Sequence, residues 1–115
     1  LTERVLLGLR PNSAWVARLR ATLSGVPGTT LSARAAGVRT IDVTRHLMKV
    51  RCPILLRQGR RDLLIPRKAT QKIAASCPTS RLEWLDAPHM LLSTHAAEAA
   101  ALIEAFCQSL DRAAR

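Results

Sequence analysis

The segment Pro53-Ile54-Leu55-Leu56, closed off by Gly59, most narrows what this chain can fold into. A continuous apolar run this short, bracketed by breakers, is the pattern of a parallel strand covered on both faces. Arg51-Cys52-Pro53 stops any helix ahead of it, because proline disfavours helical geometry in the residue before it. A parallel partner needs a crossover connection, usually a helix. The chain supplies one: Pro66, Arg67 and Lys68 open a helix with Ala69, Ile73, Ala74 and Cys77 on one stripe, and Pro78 ends it. Arg81-Leu82-Glu83-Trp84-Leu85 then alternates as a second strand, with Trp84 expected in its core. A last helix from about Ala96 to Leu110 carries Ala99, Leu102, Ile103 and Phe106 on its inner face. Strand, helix, strand, helix makes one right-handed βαβ unit with a further helix, and the fold class is α/β. The tail, residues 111–115, is expected to fray.

Upstream the chain reads as helical pieces joined by breakers, with no strand signal. Val5, Leu6 and Leu9 form an apolar face before Pro11, and Asn12 or Ser13 can cap a helix in which Trp15, Val16, Leu19 and Leu23 recur at helical spacing. That helix stops near Ser24-Gly25. After the Val26-Pro27-Gly28 turn, Thr29 or Thr30 can cap a short helix through Leu31 to Ala36, with Gly37 where a left-handed terminal residue is favoured. Asp42 precedes a short turn in which Val43, Leu47 and Val50 share a face.

The 115 residues suffice for one domain, and 48% apolar with 23% charged residues is an ordinary globular balance. No window offers the ~18 unbroken apolar residues of a spanning helix, and LTERVLLGLR lacks the three-part order of a signal peptide. A soluble, cytoplasmic protein without membrane contact is expected. Cys52, Cys77 and Cys107 are too few and too far apart for a disulfide framework or a zinc site, so free thiols are expected, with Cys77 and Cys107 buried on helix faces. His46, His89 and His95 form no i, i+4 pair, and neither a metal nor a cofactor is expected. His46 and His95 read as ordinary surface or loop histidines.

Charge leaves two accounts open. Eighteen Lys and Arg against eight Asp and Glu give +10, steepest in residues 1–51, where an acidic partner would dock. Fifteen of the eighteen cations are Arg, however, which a GC-rich coding bias would also produce. Nucleic acid is a poor fit, because Trp15, Trp84 and Phe106 are the only aromatics and offer no stacking platform. A small basic nucleic-acid-binding or interaction module stands as the alternative to an enzyme.

Chemistry in a parallel sheet collects in the loops at the carboxyl ends of the strands. Asp62 follows the first strand and His89 the second. Adjacent parallel strands make those loops neighbours, so the carboxylate can accept the Nδ1 proton of the imidazole and leave Nε2 as a general base. The plain alternative is that Asp62 caps a turn and His89 is a polar loop residue.

Pro53, Gly59, Asp62 and Pro66, with His89 27 residues beyond Asp62, resemble the C-terminal part of the α/β-hydrolase family. There, a "Pro, apolar strand, Gly-x-x-Asp, x-x-x-Pro" stretch delivers the catalytic acid, and a loop after the last strand delivers the catalytic histidine. Within the family the likeness runs to the carboxylesterases of biotin synthesis that act on pimeloyl-acyl-carrier protein methyl ester. It lies in the LIPRK segment and in Ser93-Thr94-His95-Ala96-Ala97-Glu98. The resemblance implies a helical cap over residues 1–39, the end of the hydrolase core over 40–110, and catalytic roles for Asp62 and His89. It also implies hydrolysis of a small-molecule or carrier-bound carboxylic ester, with cap residues such as Arg4, Arg10, Arg18 and Arg20 meeting an acidic acyl-carrier protein or forming a solvated face.

Two departures bear on that implication. Pro88 stands where the family writes glycine, which fixes φ and is expected to re-angle His89. None of the seven serines lies in a Gly-x-Ser-x-Gly elbow. By family order the nucleophile is expected upstream of Leu1, in a complementary N-terminal half, so the chain alone is expected to be inactive and marginal, oligomeric or partner-dependent. A non-catalytic remnant of a hydrolase shares every one of these residues.

Overall fold

The computed structural model describes residues 2–114. The chain is a mixed helix and strand structure built on a two-stranded parallel sheet, β1 (Ile54–Gly59) beside β2 (Ser80–Leu85), in register from Ile54 opposite Ser80 to Gly59 opposite Leu85. The crossover is α5 (Arg67–Ser76); Pro66 stands just ahead of it as the N-cap, in extended geometry with φ −63° and ψ 139°, rather than as its first helical residue. After β2 come α6 (Leu91–Thr94) and α7 (Ala96–Ala113). The last helix runs into the tail expected to fray and stays helical to Ala113.

Upstream lie α1 (Thr2–Leu7), α2 (Ser13–Ser24), α3 (Gly28–Thr40) and α4 (Thr44–Leu47). Asn12 caps α2 through its Oδ1, which accepts from the Ala14 N–H at 2.8 Å. Gly37 does not end a helix: α3 runs through it to Thr40 without a left-handed residue, and the chain leaves only at Ile41 in extended geometry. The single positive φ among the described residues is +94° at Gly8, between α1 and α2. Leu9, expected on the face of the first helix, lies beyond its end and is 74% exposed.

Buried apolar side chains among the described residues are few: Leu7, Cys77, Ala87, Pro88, Leu91 and Ala99. Ile54, Leu55 and Leu56, expected to be covered on both faces, are half-buried, and the deepest strand positions are Gln58 and Gly59. Thr70 rather than Ala69 or Ile73 is the buried residue of α5, and Cys107 is exposed rather than packed. Trp84 is half-buried between cations instead of deep in a core, with the guanidinium carbons of Arg60 and Arg67 6.0 and 5.6 Å from the centre of its ring.

Molecular dimensions give the same picture. The accessible surface is 8658 Å², against about 6,200 Å² for a compact monomer of this mass. The radius of gyration is 16.3 Å, against about 13.4 Å for a compact chain of this length. Neither strand has a second neighbour among the described residues, so each leaves one backbone edge unpaired. The excess area, roughly 2,500 Å², is of the size buried in obligate interfaces.

Candidate functional site

Gly59 brings the two loops together. An added Cβ there would lie 2.1 Å from the carbonyl oxygen of Ala87 and 2.6 Å from that of Pro88, so only glycine lets the second loop cross the end of β1. Contact at this range allows the Arg60 N–H to donate to Leu85 O at 2.7 Å and the Arg61 N–H to Ala87 O at 3.1 Å. Arg61 adds an exposed clasp, its Nε 2.9 Å from Asp86 Oδ1 and its Nη2 donating to the Asp86 carbonyl at 2.6 Å.

Within this frame Asp62 and His89 meet. Asp62 Oδ2 lies 3.0 Å from His89 Nδ1, and Asp62 Oδ1 accepts the N–H groups of Leu64 at 2.8 Å and Ile65 at 2.9 Å. Burial of the carboxyl, whose side chain is 6% exposed, opposes its charge. The Ile65 N–H, the His89 contact and the Leu64 N–H outweigh that penalty and hold its pKa below the ordinary 3.8. An ionised carboxylate only accepts, so the proton between the two side chains sits on Nδ1, and in the neutral imidazole Nε2 carries the free lone pair. No partner for Nε2 is found among the described residues, and the imidazole is 31% exposed. The arrangement is chemically that of an oriented general base.

Support comes from residues the sequence reading passed over. Gln58, 3% exposed, donates from Nε2 to the Ile65 carbonyl at 2.6 Å and pins the loop that carries Asp62. Its signal is an uncharged polar residue directly before the strand-ending glycine. On the other side, the Met90 N–H donates to Leu6 O at 2.9 Å and ties the residue after His89 to the end of α1. Pro88, expected to re-angle the histidine, is buried and leaves the 3.0 Å contact in place.

His89 opens on a groove of about 680 Å³ whose walls include Leu55, Arg57, Ser93, Ile103 and Phe106. Arg57 Nη1 donates to the Ala99 carbonyl, but its Nε and Nη2 are buried without a partner. Ser93 shares the groove, yet no hydrogen bond joins any serine to His89 among the described residues. A second cleft, of about 790 Å³, lies between the α1–α2 connection and the loops, with Pro88, Arg61 and His95 among its walls.

The arginines of the first two helices and their connection divide. Arg20 Nε pairs with Glu3 Oε1 at 2.5 Å and Arg18 lies over the Trp15 ring at 5.6 Å, whereas Arg4 and Arg10 are exposed. Among the described residues no three His, Cys, Asp or Glu side chains cluster as a metal site, and no helix is long and apolar enough to cross a membrane. In comparison with known proteins, no family model, no curated protein and no solved structure matches the chain.

Proposed function

We propose that this chain contributes the acid and base of a serine-type ester hydrolase, with Asp62 orienting His89 and His89 shuttling the proton of a serine nucleophile. The observation that carries the reading is the 3.0 Å contact between Asp62 Oδ2 and His89 Nδ1, with Asp62 Oδ1 held by two backbone N–H groups. A carboxylate fixed at both oxygens cannot swing away, so it selects one imidazole tautomer and stabilises the imidazolium formed when Nε2 takes a proton.

In this reading the serine attacks the ester carbonyl while its proton passes to His89 Nε2. His89 then returns the proton to the departing alkoxide, and water repeats the cycle to release the acid and regenerate the serine. The nucleophile reaches His89 along its open groove from a polypeptide segment outside the described residues. The unpaired strand edges and the excess surface supply the place where such a segment would pack. An α/β-hydrolase fold, with residues 1–39 as its cap, is the architecture this reading entails, and a carrier-bound ester remains within its scope through Arg4 and Arg10.

Co-expression with the nucleophile-bearing N-terminal portion of a serine α/β-hydrolase tests it. The expected result is turnover of p-nitrophenyl butyrate and a fluorophosphonate adduct on the N-terminal portion, both abolished by His89→Ala. Absence of turnover in a complex that does assemble would overturn the reading. An adduct on this chain alone, lost in Ser93→Ala, would instead overturn the external nucleophile.

A further inference from the structure

The cleft of about 790 Å³ is separate from the groove that His89 faces, since His89 is not among its walls. We propose that it is a binding site for an oxyanion, carboxylate or phosphate, carried on an apolar chain. Its size falls within the range of small-molecule sites, which combine apolar walls with a few convergent polar groups. Here the charged walls are of one sign: Arg10 and Arg61 line the cleft beside the polar Asn12, Thr94 and His95, and no Asp or Glu does.

Arg10 is the free cation of the set. It makes no ion pair among the described residues, whereas Arg18 and Arg20 on the neighbouring helix are engaged with Trp15 and Glu3. Arg61 spends Nε and Nη2 on Asp86, and Nη1 stays available. A guanidinium fork matches the two oxygens of a carboxylate or phosphate, which a neutral head group would not exploit.

Leu9 and Leu63 account for the apolar chain. They are 74% and 61% exposed, both line the cleft, and an alkyl chain lying between them would remove that surface from water. Gly8 shapes the floor: its φ of +94° turns the chain sharply, and an added Cβ would stand 3.4 Å from Pro88 Cβ. The assignment concerns binding and does not depend on the hydrolytic reading.

The test is calorimetric titration of the full chain with octanoate, octyl phosphate and octanol, with the Trp15 and Trp84 indole N–H signals followed by NMR. Both anions are expected to bind at least about fivefold more tightly than octanol, the value of one well-placed exposed ion pair. Arg10→Gln should erase that difference while leaving octanol unchanged. The Trp15 signal should shift, the Trp84 signal should not, and binding should survive Asp62→Asn and His89→Ala. Whichever anion binds more tightly identifies the head group. Equal binding of octanol and octanoate, or an octanoate affinity unmoved by Arg10→Gln in a variant with unchanged circular dichroism, would overturn the proposal.

Discussion

Replacing Gly59 by alanine puts the loop crossing to a quantitative test. The new Cβ would sit 2.1 Å from Ala87 O, 2.6 Å from Pro88 O and 2.8 Å from the Ala87 carbonyl carbon, all backbone atoms with no rotamer to escape into. Relief to an ordinary contact requires the 86–88 segment to retreat by more than about 1 Å, and overpacking of this kind costs roughly 1–3 kcal/mol. Such a shift also breaks the Arg60 to Leu85 and Arg61 to Ala87 hydrogen bonds, 2.7 and 3.1 Å long, at about 1 kcal/mol each. It carries His89 out of reach of Asp62, from 3.0 Å to beyond hydrogen-bond distance. The expected loss is about 3–5 kcal/mol, a large share of the 5–15 kcal/mol typical of a domain. Urea unfolding with NMR detection of the His89 Nδ1 proton measures both effects. Gly37→Ala is the control, because no atom lies within 4 Å of its added Cβ and the residue is inside α3, so about 0.5–1 kcal/mol of stabilisation is expected. A Gly59→Ala protein as stable as the parent, with the Nδ1 proton intact, would refute the close-crossing argument.

Other expectations concern charge and surface. Asp62 has a folded-state pKa below its ordinary 3.8, so its contribution to stability is present above that value and is lost as pH falls through the lowered one. Melting temperature should therefore drop in acid below about pH 4, and Asp62→Asn should flatten the profile there. Arg57→Met removes two buried, unpartnered donors at the cost of one bond to Ala99 O, so the urea midpoint should hold or rise; a loss above about 1 kcal/mol would contradict this. The unpaired strand edges and excess surface predict association in sedimentation equilibrium at micromolar concentration; an ideal monomer with a sharp melt would count against it.

What the sequence made legible was local punctuation. Pro53, Gly59, Pro66 and Pro78 bracket β1 and α5, and the loops after the strands place Asp62 and His89 together, because each of these decisions is made within a few residues. Burial is less legible in the sequence, since it is decided by distant partners. Ile54 to Leu56 look like a doubly covered strand but have only one strand neighbour here, and Cys107 lies on a face of α7 that nothing covers. Gly37 signals a helix end only where a left-handed turn is wanted, and α3 continues because no such turn is imposed on it. His95 lines a cleft formed with the α1–α2 connection more than eighty residues earlier in the sequence, a juxtaposition no local pattern encodes.

Whether an ionised Asp62 fixes His89 for base chemistry is decided by the tautomer of His89, read from its ring nitrogen shifts by NMR at neutral pH. The expectation is a protonated Nδ1 and a bare Nε2, a downfield Nδ1 proton, and loss of both features in Asp62→Asn. A His89 carrying its proton on Nε2, or one indistinguishable from the exposed His46, would contradict it.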